Sequence, residues 1–155
     1  MNGIQSSTTT VQGAGTLGGT GSIQDVHNYG VVAPGNSIGT LKIFGDYTAY
    51  PGSRLEIEVN GNNATDVLQV TGNVQLDGTL ALEGGPFRQG IDYNFLAVMG
   101  GAVSGNFADI DTDLVFLSPN LRVNNSGAIL EVQRNSVPFS RYLTSSNQIA
   151  VTNAL

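Results

Sequence analysis

Apolar residues along this chain recur at every second position over short runs, and each run is broken by glycine, asparagine or a Pro-Gly pair. The cleanest run is Arg54-Leu-Glu-Ile-Glu-Val59. Leu55, Ile57 and Val59 fall on one side and Arg54, Glu56 and Glu58 on the other, which is the period of a half-buried β-strand. Leu41 and Ile43 alternate with Thr40 and Lys42 in the same way. Further strands are predicted over 22–26, 30–33, 47–50, 66–70, 93–99, 103–107, 114–117, 121–123 and 128–132, with two more between Gly72 and Glu83. The inward positions of these runs predict a stacked core of Leu55, Ile57, Val59, Val74, Leu76, Leu80, Leu82, Phe95, Ala97 and Phe107. Helical spacing occurs only after Arg134, where Phe139 and Leu143, and Ala150 and Ala154, lie one turn apart.

The corners carry as much information as the strands. Pro34-Gly35 presets a turn, because proline holds the first corner and glycine accepts the positive φ that a type II turn needs next. Asn36 and Ser37 can bond the backbone just beyond, so Pro34, Gly35, Asn36, Ser37 and Gly39 read as a structural turn motif. Gly-Thr-Leu recurs at Gly15, Gly39 and Gly78 without a fixed interval. Many short strands between glycine corners of unequal length favour coils stacked along one axis over a β-sandwich. The division expected is a disordered lead-in or cloning scar over 1–12, a β-solenoid over 13–135, and a tail over 136–155.

Composition narrows the functional classes. The 155 residues hold 21 glycines and only 12% charged residues, yet 40% hydrophobic residues, so there is apolar surface to bury in one domain. A net charge of −6, with Lys42 the single lysine, leaves no basic stripe for nucleic acid or for an anionic membrane. No cysteine is present, which removes disulfides, cysteine-ligated zinc and thiol chemistry. No apolar run approaches the ~20 residues of a membrane-spanning helix, and the first ten residues lack the pattern of a signal peptide.

Several stretches imitate chemical motifs. Gly35-Asn-Ser-Ile-Gly39 matches a hydrolase nucleophile elbow, but that motif needs a helix after the serine and a histidine later in the chain. The one histidine, His27, comes earlier. Gly13-Ala-Gly-Thr-Leu-Gly18 fits a dinucleotide fingerprint but is followed by Gly-Thr-Gly, a poor helix start. Asp109-Ile-Asp-Thr-Asp113 opens like a calcium loop and then lacks its glycine and its final glutamate. Glu56 and Glu58 share a strand face and read as solubilising charge rather than a catalytic pair. Tyr47, Tyr50, Tyr93 and Phe95 could line a sugar-binding face, but aromatic packing inside a β-helix is the commoner fate of such residues. No catalytic residue, cofactor or metal is expected, and the chain is read as a non-enzyme.

Leu17-Gly-Gly-Thr-Gly21, Val32-Ala-Pro-Gly-Asn-Ser-Ile-Gly-Thr-Leu41, Gly45-Asp-Tyr47, Gly52-Ser-Arg-Leu-Glu-Ile-Glu-Val-Asn60, Asp66-Val-Leu-Gln-Val-Thr-Gly72, Leu80 to Leu82 and Val103-Ser-Gly-Asn-Phe107 resemble the C-terminal part of autotransporter passenger domains (type V secretion), including the autochaperone or passenger-associated region. Residues 145–155 resemble the stretch just before the membrane barrel. The resemblance implies a right-handed parallel β-helix with a C-terminal cap, at the cell surface of a Gram-negative bacterium or secreted from it. It implies a role in passenger folding and secretion, with upstream passenger coils and a downstream barrel of the same precursor as partners. The missing barrel and signal peptide point to an excised fragment, whose open solenoid end would favour self-association. The runner-up is an adhesin or glycan-binding module with a host-surface ligand, and a polysaccharide-processing enzyme stands third.

Overall fold

The structure, a computed structural model, describes residues 7–62, 64–84, 93–112 and 117–134. Among these the chain is all-β, with sixteen strands and no helix. The first circuit comprises β1 (Thr9–Val11), β2 (Thr16–Gly19) and β3 (Ser22–Ile23), and the second β4 (Val26–Asn28), β5 (Val31–Pro34) and β6 (Thr40–Ile43). The third comprises β7 (Tyr47–Ala49), β8 (Arg54–Val59) and β9 (Val67–Val70), and the fourth β10 (Asn73–Leu76), β11 (Thr79–Gly84) and β12 (Tyr93–Met99). Then follow β13 (Ala102–Gly105), β14 (Asp109–Thr112), β15 (Leu117–Asn124) and β16 (Gly127–Arg134). Strand β1 lies ahead of Gly13, so the first circuit starts within the 1–12 segment. The tail over 136–155 and the corner at 85–86 lie outside the described residues, as do most of the strand placed over 114–117.

Every third strand pairs with the next in parallel. One sheet runs β1-β4-β7-β10-β13 and a second β2-β5-β8-β11-β14, while a third begins β3-β6-β9-β12. The chain thus visits three sheets in turn and starts again one strand spacing along, an arrangement consistent with a β-helix. The column Thr9, Val26, Tyr47, Val74, Val103 shows the circuit lengthening along the chain. The added residues enter between the second sheet and the third, where β2 is followed almost at once by β3 but β8 and β9 are joined by 60–66. The other two corners stay tight. Gly-Thr-Leu recurs without a period because its copies also differ in place: those at Gly15 and Gly78 open strands of the second sheet, β2 and β11, and that at Gly39 opens β6 of the third.

Inward columns form the core. Val32, Leu55 and Leu80 are in register on one face, with Ile57 beside Leu82, and Leu41, Leu68 and Val98 on another. Leu55, Ile57, Val59, Val74, Leu76, Leu80, Leu82, Phe95 and Ala97 are all buried, whereas Phe107 is partly buried and lies against the edge of the cluster. Ala81 breaks the alternation: it is buried although it lies in register with outward Glu56 and Asp111. The Arg54 guanidinium reaches across β11 from β8 to Asp111 on β14, at 2.8 Å.

The third sheet ends differently. After β12 it continues through β16 and then β15, both antiparallel to their neighbours. A β-bulge between Leu96 and Val98 lets Ala97 and Val98 both face inward. The turn of this hairpin is tied to the last parallel circuit: Gly100 N donates to Ser126 O at 2.9 Å and Val103 N to Asn125 O at 3.0 Å. Leu130 and Val132 complete the core there.

Candidate functional site

The turn 34–39 is built around a carboxylate from the next circuit. Gly35 has φ 87°, and a Cβ on it would run into the Ser37 carbonyl and the Asp66 side chain. Asp66 is 4% exposed. Its Oδ1 accepts from Gly39 N at 2.8 Å and its Oδ2 from Glu58 N at 2.9 Å. Its own amide donates to Glu58 O at 2.8 Å, and Val67 N donates to Gly39 O at 2.9 Å. One side chain therefore holds the 34–39 turn, the end of β8 and the start of β9. Burial raises the Asp66 pKa above the ordinary carboxylate value, the two backbone donors pull it back in part, and the Glu58 charge adds to the rise. The sequence pattern placed Asp66 only at the opening of a strand; a polar residue directly before Val-Leu-Gln-Val was the sole signal of this role.

A second device repeats at the corner between the third sheet and the first. Asp25 Oδ1 accepts from Asp46 N at 2.8 Å, and Asp46 Oδ1 from Asn73 N at 2.7 Å. Gly72 N donates to Gly45 O and Gly101 N to Gly72 O. A Cβ on Gly45 or Gly72 would overlap the Asp25 or Asp46 carboxylate, so the Gly-Asx pairing is a requirement of the ladder. Each acidic side chain satisfies a backbone donor of the following circuit.

The aromatic residues separate into an inner and an outer set. Tyr47 is fully buried, and burial pushes its pKa up to about 12 despite the bond from Asn28. Asn28, itself buried, donates to Tyr47 Oη at 3.0 Å and to Arg54 O at 3.2 Å, and accepts from Gly30 N at 3.0 Å. Tyr93 and Phe95 stack inside at 5.8 Å and 3°. Three of the four aromatic residues that could have lined a sugar-binding face, Tyr47, Tyr93 and Phe95, bury their rings in the core, the commoner fate of such residues in a β-helix. Tyr50 lies on the outside. It stacks on Tyr29 with centroids 4.1 Å apart and planes at 8°, and its hydroxyl is 2.7 Å from His27 Nδ1. Its pKa is raised, chiefly by the hydrogen bond with Tyr29.

The remaining motifs are placed as follows. Ser37 lies in the 34–39 turn and strand β6 follows it, while His27 is engaged with Tyr50. Strand β2 occupies the end of the 13–18 glycine run. Asp109 and Asp111 belong to β14, and Asp113 lies outside the described residues. Glu56 pairs with Arg54 at 3.4 Å. Among the described residues no group of His, Asp and Glu is arranged to hold a metal ion.

No family model matches the chain. A curated protein named as an extracellular serine protease, from Serratia marcescens, is 27% identical over 168 residues. The match takes in 100% of this chain and 16% of that protein, so the chain spans about a sixth of that relative's length. It is similar to one stretch of an extracellular protein from a Gram-negative bacterium, in line with secretion. The same finding corrects the expectation of a non-enzyme: the relative that aligns along the whole chain carries the name of a protease, and that expectation does not stand.

Proposed function

We propose that the chain is a right-handed β-helical segment near the C-terminal end of an exported passenger polypeptide, and that it acts as the platform on which upstream coils fold. The observation that carries this reading is the asymmetry of the stack. At the downstream end the eight-residue antiparallel hairpin β15/β16 extends the third sheet and its turn is stitched to Gly100 and Val103, while β13, β14 and β15 are the sheet edges there among the described residues. At the upstream end each of β1, β2 and β3 has a partner on one side only among the described residues. Parallel coils gain stability from their neighbours, so the end that carries the long hairpin offers the firmer template and the short-stranded end offers edges to extend. The right-handed sense is supported by the strong preference of parallel crossovers for that hand. The similarity to a stretch of an extracellular protein supports export.

Two truncations test the platform. Removing residues 1–23 leaves a chain that unfolds cooperatively, because the later circuits keep their template. Removing 117–155 leaves one that does not. Loss of cooperative unfolding in the first variant and retention in the second would overturn the reading.

The relative's name favours a second reading, in which the polypeptide bearing this segment hydrolyses peptides outside the cell. Cleavage of an unstructured protein substrate, blocked by a serine-directed phosphonate, supports it; absence of turnover in the complete secreted polypeptide removes it.

A further inference from the structure

Among the described residues, the outer surface carries one aromatic cluster whose side chains neither the core nor the inter-coil ladders use. Position 29 follows β4 as position 50 follows β7, and β4 and β7 are paired with His27 opposite Thr48. Tyr29 and Tyr50 therefore occupy equivalent places on successive coils. Strand spacing in a sheet, roughly 4.8 Å, brings their rings face to face at 4.1 Å and 8°. Tyr29 is 44% exposed. The single Tyr50 hydroxyl hydrogen has two acceptors in reach, the Tyr29 hydroxyl oxygen and, when the imidazole hydrogen is on Nε2, His27 Nδ1 at 2.7 Å; the His27 ring lies 5.8 Å from that of Tyr50. Because one face of each tyrosine is taken by the other, the pair is poorly arranged for stacking on a sugar. It is well arranged for a reaction between the two rings.

We propose that Tyr29 and Tyr50 are an oxidative cross-linking site, with His27 as the proton acceptor that makes Tyr50 the first ring to be oxidised. The oxidant is hydrogen peroxide turned over by a haem peroxidase, or an equivalent one-electron acceptor. Tyr50 gives up an electron to the oxidant as its phenolic proton moves to His27 Nδ1. Tyr29 loses an electron and its phenolic proton to the exposed side. The two phenoxyl radicals join through their ortho carbons. The two hydrogens on those carbons then move to the oxygens, directly or by way of water, restoring two phenols. In sum two hydrogen atoms leave the protein, one peroxide becomes two waters, and His27 returns its proton to solvent. The product is a carbon–carbon staple between adjacent coils, in a chain that has no cysteine to make a disulfide.

The test treats the full chain with a haem peroxidase and hydrogen peroxide, and follows the intact mass of the monomer and its cross-linked peptides. The expected product is a monomer two hydrogens lighter, with dityrosine fluorescence and a single linked peptide pair containing Tyr29 and Tyr50. Tyr29→Phe, which keeps the stacked ring and an unchanged circular dichroism spectrum, abolishes that product. His27→Ala slows its formation several-fold while leaving the fold intact. Cross-links found only between separate molecules, or an intramolecular link that survives Tyr29→Phe, would overturn the site. A rate indifferent to His27→Ala in a folded variant would overturn the proton-transfer role.

Discussion

The two ends of the molecule are built on different rules. Upstream, β1, β2 and β3 are short parallel strands, and β3 has only two residues. Downstream, β15 and β16 pair over eight residues each in an antiparallel hairpin, and their turn bonds back to Gly100 and Val103. Short parallel pairs depend on what is stacked beside them. The hairpin supplies local contacts, shorter in sequence and cheaper to close. Stability should therefore grow along the chain, with inter-coil side chains such as Asp46 and Asp66 transmitting it upstream one circuit at a time.

The largest expected effects come from charges placed in the core. Ile57→Asp puts an unpaired carboxylate at a position with no solvent exposure, between Val32-Leu55-Leu80 and Leu82. The cost, several kcal/mol, is comparable to the whole stability of a small domain, and the chain loses its cooperative thermal transition. Leu130→Asp, in the hairpin, has the same outcome. Val11→Asp, in the first circuit, lowers the unfolding enthalpy and leaves a folded remainder. Equal damage from Val11→Asp and Leu130→Asp would erase the distinction between the ends.

Asp66→Ala leaves the amides of Gly39 and Glu58 without their acceptors. It should lower stability by about 2–4 kcal/mol, measured by denaturant unfolding. Asp66 also sets a pH dependence. Its folded pKa lies above the unfolded value, because burial outweighs its two donors, so the folded chain binds more protons between those two values. Stability contributed by this group is therefore greatest in acid and falls as pH rises through that window. Asp66→Asn removes this slope and keeps one of the two bonds. A slope unchanged in Asp66→Asn would assign it to other carboxylates. The smallest effect belongs to Arg122→Ala, which breaks an exposed pair with Glu131 at 2.8 Å; chemical denaturation should not distinguish this variant from the parent.

Much of the coil plan was legible in the chain. The alternation of Leu55, Ile57 and Val59 reports a strand face directly, and the glycine corners report where sheets change. Parity even separates Tyr47 from Tyr50, since a strand holding Tyr47 and Ala49 inward must turn residue 50 away. The sequence pattern did not show which way β16 runs, because alternation is the same for parallel and antiparallel partners. Nor did it show that Asp66 reaches Gly39, or that His27 meets Tyr50. Those contacts join residues one circuit apart, and the circuit length changes along the chain.

Native-state hydrogen exchange reads stability strand by strand and so separates the two ends of the stack in one measurement. Slowest exchange is expected in β11, β12 and β16, intermediate exchange in β5 to β9, and fastest exchange in β1 to β3. Uniform protection, or greatest protection in β1 to β6 with the hairpin exchanging first, would contradict it.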